Sequence, residues 1–325
     1  MSTARLVCGM QTTLGRRKSN CLARFGVFLT IAALAAGIAG CGCNQPPSQN
    51  LEIRTWYDLD AVRDNLAGHH TLINDLDSTT AGYDELASPT ANGGYGWEPI
   101  GGNYQGGVGR FVGTLDGRGY EICDMSINRP DKQHVGAFGA VGRRGVVKNV
   151  GAVNINVTGR DNVGALVGSN YEGTVRDSYS TGSVAGDNVV GGLVGLNGGT
   201  IANCYATGSV TGNREVGGLV GYDRGTIANC YATGSVTGNW TVGGLVGDGY
   251  YRGTTRDSFW DTETSGQGIS AGGTGKTTAQ MHDIATFTGA GWNISAVASG
   301  ERNTAYTWNI VDGQTYPFLS WQAVP

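Results

Sequence analysis

Proline and histidine are scarce in this chain, at seven and four of 325 residues, and charged side chains make up only 15%. With so little proline and no glycine at every third position, a collagen-like triple helix is excluded. The low charge argues against a large helical protein, whose outer faces would carry more Glu, Lys and Arg. The four histidines, His69, His70, His134 and His282, form no His-Glu-x-x-His pair, which excludes a zinc peptidase of that type. His69 and His70 are neighbours, so in a strand they point to opposite faces rather than to one metal ion. What the chain has in excess is glycine, 57 residues, far above the usual ~7%. The glycines stand inside apolar motifs rich in Val, Ile, Thr and Tyr. That pattern fits short strands broken by tight turns rather than a disordered linker.

The first 40 residues carry Arg5, Arg16, Arg17, Lys18 and Arg24 and no acid. Without them 17 basic and 26 acidic side chains remain, a charge near −9. A surface of that sign repels phosphate backbones, so no nucleic-acid partner is expected. Arg16-Arg17-Lys18 precede an apolar run from Phe25 to about Ile38, too short for a comfortable span of ~20 residues. The run ends Ile38-Ala39-Gly40-Cys41, which resembles a bacterial lipobox. That resemblance implies cleavage before Cys41, lipidation of Cys41, and a tether over residues 41–50. It also implies export with a lipid anchor in the cell envelope, at the outer membrane or cell surface.

Self-similarity decides the architecture. Thr200–Gly221 reads TIANCYATGSVTGNREVGGLVG, and Thr226–Gly247 repeats it with changes only at Arg214/Trp240 and Glu215/Thr241. Thr174–Gly195 is a weaker copy. Three ladders emerge, with steps of 25 to 28 residues. One is aliphatic–x–Asn/Asp: Ile122/Asp124, Val147/Asn149, Val175/Asp177, Ile201/Asn203, Ile227/Asn229 and Thr255/Asp257. The second is Phe138, Leu166, Leu193, Leu219 and Leu245; the third is Val157, Val184, Val210 and Val236. Equal spacing in all three means equal path length per coil. The pattern predicts an all-β, right-handed parallel β-helix or β-solenoid. Its coils of about 26 residues should hold three short strands each, such as Val216–Gly221, Thr226–Ala232 and Gly234–Thr237, with Asn, Asp and Gly at the corners. Blades of a β-propeller need ~40 residues, and leucine-rich repeats need more leucine.

VGGLVG joined to TIANCYATGSVTG resembles the GLUG-motif repeat proteins of bacterial and archaeal surfaces. Phe111-Val-Gly-Thr-Leu-Asp-Gly117 with Tyr120–Asn128 is similar to that family's opening coil. Asp257-Ser-Phe-Trp-Asp-Thr-Glu-Thr-Ser-Gly266 and Trp308–Leu319 are similar to its closing segments. The likeness covers roughly Leu51 to Trp321 and implies a β-helix-like surface module without a defined chemistry.

Other candidate sites compete with structural readings. Ala271-Gly-Gly-Thr-Gly-Lys-Thr-Thr278 fits a relaxed phosphate-loop pattern, but Ser270 stands where the strict pattern needs glycine. No apolar strand precedes it, so it reads as a loop before a short capping helix at Thr278–Phe287. Cys204 and Cys230 share a ladder position with Met125, Val150, Ser178 and Ser258, which fits small packing residues rather than a nucleophile or metal ligand. Asp75, Asp77, Asp84, Glu85, Asp116 and Asp124 are the acids a polysaccharide lyase or glycosidase would draw on. Asp124 belongs to the corner ladder, and Asp75/Asp77 flank Leu76 as at a strand edge. Tyr179, Tyr205, Tyr231 and Phe259 form a stripe that offers either a platform for sugar rings or stacking along the wall, the second preferred.

The organisation expected is a signal at 1–40, a tether at 41–50, an N-terminal cap at 51–107, coils at 108–261 and a C-terminal cap at 262–325. Trp56, Leu59, Val62 and Leu66 suggest a short amphipathic helix over the first coil. No catalytic, cofactor-binding or metal-ligating set is expected. The function expected is a non-enzymatic surface module for adhesion, display or ligand binding, with glycans or surface proteins as partners. A carbohydrate-active β-helix enzyme and a purely structural spacer are the alternatives. Partner contact is expected where repeats differ, at Arg214, Glu215, Trp240 and Thr241, and at Tyr250, Tyr251 and Arg252.

Overall fold

The computed structural model describes residues 50–102, 109–249 and 253–322. One coil passes through five short strands: Arg214–Gly217, Val220–Asp223, Thr226–Ala228, Tyr231–Ala232 and Val236–Thr237. Each strand pairs in parallel with its equivalent one repeat away: Ile201 on Ile227, Val210 on Val236, Val216 on Val242, Val220 on Val246. The strands form one 16-stranded sheet and two five-stranded sheets. The fold is the all-β parallel solenoid that the ladders predict. Leu166, Leu193, Leu219 and Leu245 fill the interior with Val175, Ile201 and Ile227, all fully buried. Each such side chain contributes roughly 1.5–3 kcal/mol by leaving water.

The strand divisions differ from those expected. Val216–Gly221 is not one strand: it bends at Gly218-Leu219, and its halves join different sheets. A Cβ on Gly218 would meet Gly244 O of the next coil at 2.2 Å, so this coil packs too closely on the next for a side chain there, whereas Ala137 and Ala165 hold the same position in earlier coils and still turn Phe138 and Leu166 inward. Thr226–Ala232 breaks at Asn229, whose φ is 52°.

The Asn/Asp corners are left-handed, with φ of 50°, 53°, 52° and 49° at Asp177, Asn203, Asn229 and Asp257. Asn and Asp tolerate this conformation better than other residues with a side chain. Their side chains also bond from coil to coil: Asn203 Nδ2 donates to Asp177 Oδ1 at 2.9 Å and Asn229 Nδ2 to Asn203 Oδ1 at 3.4 Å. The first rung is a correction. Leu115, not Ile122, lies on Val147, and Asp124 accepts from Asn154 rather than lying on Asn149. The strand Thr114–Cys123 shifts register between Asp116 and Tyr120, so its second half meets a later part of Val146–Thr158.

At the N-terminal end a helix at Trp56–Asp60, capped by Thr55, runs into a 3-10 turn at Ala61–Asn65 and buries Trp56, Leu59 and Val62. Strands Glu52–Ile53 and His69–Leu72 add to the parallel sheet through Thr114–Cys123. His69 and His70 lie in that strand, one exposed and one buried. At the other end, Thr274–Lys276 pairs in parallel with Phe259–Asp261. Ile269 O and Val246 O take main-chain bonds from Gly244 and Ala271, so this stretch lies over the last coil. The helix expected at Thr278–Phe287 is two helices, Thr278–Met281 and Ile284–Thr288, because Asp283 accepts from Ala285 N–H and starts the second. The following strands, Ile294–Ala296, Trp308–Ile310 and Phe318–Leu319, form a small sheet laid along the side of the stack.

Candidate functional site

The four residues at which the strongest repeats differ are gathered at one corner. Arg214 and Trp240 are register partners on neighbouring coils, and Glu215 N–H donates to Thr241 Oγ1 at 3.1 Å. This corner is left-handed in five successive coils, with φ of 58°, 54°, 57°, 54° and 47° at His134, Asn162, Val189, Glu215 and Thr241. Glycine occupies none of these positions, and two of the residues are β-branched. Each costs of order 1–3 kcal/mol, met by the packed stack around it. Beside the column, Asn213 Nδ2 donates to Asp187 Oδ1 at 3.1 Å and Asn239 Nδ2 to Asn213 Oδ1 at 3.0 Å. The corner is thereby a braced ridge. Trp240 stands on it 68% exposed, with Arg214 exposed beside it. Burial raises the Glu215 carboxyl above its usual range, and the charge of Asp248 adds to this.

Tyr250, Tyr251, Arg252 and Cys41 lie outside the described residues. Gly249 and Gly253, which flank the first three, lie beside Asp223 at the corner after strand Val220–Asp223, a different corner from that of Trp240.

The other candidates are taken up by the stack. Cys204 and Cys230 are free and fully buried. Their thiols donate to the carbonyls two residues back, Ala202 O at 3.2 Å and Ala228 O at 3.1 Å. Ser178 and Ser258 donate in the same way to Arg176 O and Arg256 O, both at 2.8 Å. Serine and cysteine share this rung, and each ties down the carbonyl two residues back. Burial raises the Cys204 thiol, away from the reactive thiolate.

The aromatic stripe is no open platform. Tyr179, Tyr205 and Tyr231 stack at 4.8 Å with planes 8° and 4° apart. Trp292, Trp308 and Trp321 cover them. Tyr231 O–H donates to Pro317 O at 2.5 Å, and Gln322 Nε2 donates to Tyr205 Oη at 2.7 Å.

Several of the acids are tied into turns and ladders. Asp75 Oδ1 accepts from Glu121 N–H, and Asp77 Oδ1 accepts from Thr79 and Thr80. Asp116 pairs with Lys148 and accepts from Asn149. Burial alone would raise the Asp116 carboxyl, but its bonds to Asn149 and Lys148 hold it below the usual range. Among the described residues, no three His, Cys, Asp or Glu side chains come together as a metal-holding group. In the phosphate-loop-like stretch, Thr274–Lys276 is a strand and Thr277 caps a helix of four residues.

Three buried polar sets escaped the sequence reading. Asn170, Asn197 and Asp223 form an internal ladder, with bonds of 2.9 Å and 2.7 Å from each amide to the next side chain. Their repeat as VGSN, VGLN and VGYD was a usable signal. Glu121 accepts from Tyr179 O–H at 2.5 Å. Asp261 accepts from Tyr316 and Thr278, both at 2.7 Å, and from two N–H groups of the helix at Thr262–Ser265. Those last two pairings join segments far apart in sequence, so no local motif announces them.

Residues 159–185, 186–211 and 212–237 match the family model described as the GLUG motif. The chain is 39% identical over 165 residues to Halomucin of Haloquadratum walsbyi, covering 50% of this chain and 2% of that protein. It is 41% identical over 124 residues to a candidate Gly-rich membrane protein of Evansella cellulosilytica, covering 37% of this chain and 13% of the other. The chain thus spans a small part of the length of both curated relatives. Among solved structures, a candidate immunoglobulin A1 protease from Bacteroides ovatus is similar at 24% identity and a TM-score of 0.48, covering 66% of this chain and 67% of that one. A structure described as an IgA1 protease is similar at 18% identity and a TM-score of 0.46, over 83% of this chain and 20% of the other.

Proposed function

From a chain carrying three GLUG motifs on a parallel β-solenoid, we propose a non-enzymatic module of the cell surface or envelope that acts by display and adhesion. One observation carries this reading. The repeat cysteines, the aromatic stripe, Glu121 and Asp261 are spent inward, on ladders and on the covered wall, whereas the residues that vary between the strongest repeats form an outward ridge. Trp240 and Arg214 on that ridge are of the types that dominate binding hot spots. They sit on a braced backbone, so little ordering entropy is lost when a partner docks. The names of the two relatives, a halomucin and a candidate membrane protein, accord with an envelope location. In this proposal Cys41 carries a lipid that holds the module at the membrane, and the partners are glycans or surface proteins.

The test is a cell-adhesion and glycan-array assay comparing the wild type with an Arg214→Ala, Trp240→Ala double variant of unchanged melting temperature. Binding reduced at least tenfold supports the ridge; equal binding removes it. Labelled palmitate should mark the wild type in a lipoprotein-processing host and leave Cys41→Ser unmarked. Equal labelling removes the anchor.

A further inference from the structure

Cys123 closes the strand Thr114–Cys123 and is fully buried. Its main-chain N–H donates to Leu76 O at 2.7 Å, and its Sγ lies 3.9 Å from Glu121 Oε2. Ile122 between them packs into the interior, so Cys123 and Glu121 share the outer wall of the first coil. Cys204 and Cys230 are free, whereas Cys123 is disulfide-bonded. These three are the cysteines among the described residues, so the second sulfur belongs to Cys8, Cys21, Cys41 or Cys43, which lie outside them.

Cleavage before Cys41 removes Cys8 and Cys21, and a Cys41 sulfur that carries lipid as a thioether has no valence left for a disulfide. We propose that Cys43 is the partner of Cys123 in the mature chain, a choice that rests on the lipid proposed at Cys41. The bond forms as both thiols give up their protons and two electrons. The disulfide of a thiol oxidoreductase in the oxidising envelope takes these up and becomes a dithiol. The reach is sufficient. Asn50 Oδ1 accepts from His69 N–H at 2.9 Å, which places the end of the tether at the start of strand His69–Leu72. From His69 to Leu76, beside Cys123, is seven residues, and from Asn50 back to Cys43 is also seven. Either stretch spans at most about 25 Å, and a disulfide closes the last ~6 Å between Cα atoms. The consequence is orientation. A free tether over residues 41–50 would let the module stray about 35 Å from its lipid, but the two steps from Cys41 to Cys43 span only about 7 Å. The first coil is thereby held at the membrane, and the ridge at Trp240 lies at the far end of the stack.

The experiment maps the cysteines of the full chain, purified from a lipoprotein-processing host fed labelled palmitate. Thiols are alkylated in denaturant before any reduction, and the peptides are read by mass spectrometry without reductant. In the wild type Cys204 and Cys230 should be alkylated, and Cys123 should be found linked to the peptide that holds Cys41 and Cys43. Because those two share a peptide, Cys43→Ser assigns the sulfur. In that variant Cys123 should become fully alkylated while palmitate labelling stays at the wild-type level. A wild-type Cys123 that is alkylated without reduction overturns the bond, and palmitate found on the same chain shows that the lipid anchor survives its loss. A Cys43→Ser chain that keeps Cys123 linked also overturns the proposal; if it carries no palmitate, Cys41 is the partner and the lipid anchor falls with it.

Discussion

Tyr205 and Tyr231, one repeat apart, hold their rings 4.8 Å apart and within 4° of parallel, and both lie against Trp308. The ring spacing matches the distance between hydrogen-bonded strands, about 4.8 Å, so the stack reports the rise per coil directly. It also gives the C-terminal segment its place, because the tryptophans bury themselves on the wall that the tyrosines build.

Trp308→Ala should therefore cost about 3–5 kcal/mol, as for large aromatic truncations, and should act first on the segment it belongs to. Limited proteolysis with mass spectrometry should find new cleavages at 284–322 while 109–249 remains protected. Simultaneous loss of protection across both would mean that they open as one unit.

Leu219 is fully buried and Arg214 is exposed. Leu219→Asp places an unpaired carboxylate in the interior and should cost several kcal/mol. Arg214→Ala should change stability by under ~0.5 kcal/mol. Urea denaturation of both reads the difference; similar losses would mean that the inside and outside of the coil are reversed.

Burial raises the Asp223 carboxyl above its usual range, against the bonds it accepts from Asn197 and the Gly225 N–H. With the folded pKa above the unfolded one, the stabilising contribution is present at pH below ~4 and is lost as pH rises through the folded value. Asp223→Asn extends the ladder of Asn170 and Asn197 with a neutral acceptor of the same shape. It should raise the melting temperature at pH 7–8 and change little near pH 4. A loss at neutral pH would show that the charge is favourable where it sits.

Asp261 has the opposite sign. Burial would raise it, but bonds from Tyr316, Thr278 and two N–H groups prevail and hold it below its usual range. Its contribution is present above the unfolded pKa and lost as pH falls through the lower folded value. Asp261→Asn should flatten the acid limb of the stability profile, below about pH 4, and loosen Tyr316. An acid limb of unchanged slope would contradict this.

Much of the fold was legible because each coil repeats one answer. Leu219 over Leu245 and Ile201 over Ile227 follow from spacing alone, and so do the left-handed Asn and Asp corners. The sequence was less informative where periodicity lapses. The register shift before Tyr120 misplaced Ile122 and Asp124, because an irregular stretch within a strand changes the pairing without changing the apolar pattern. The cover over the tyrosines was hidden for a related reason: Tyr231 meets Pro317 across 86 residues, and no repeat encodes that contact. At the ridge, the difference between two near-identical repeats marked Arg214 and Trp240. The left-handed column beneath them went unseen because Val189 and Thr241 are residues that ordinarily avoid positive φ.

The central claim is that the chain binds a partner without converting it. The most direct measurement incubates the full chain with each glycan and surface-protein ligand it retains, and follows both bound ligand and released product over many hours. The account predicts saturable retention, sensitive to Arg214→Ala with Trp240→Ala for the ligands held at the ridge, and ligand recovered with its length unchanged. Shortened glycan, unsaturated sugar ends or cleaved protein, at a rate proportional to the amount of chain added, would contradict it.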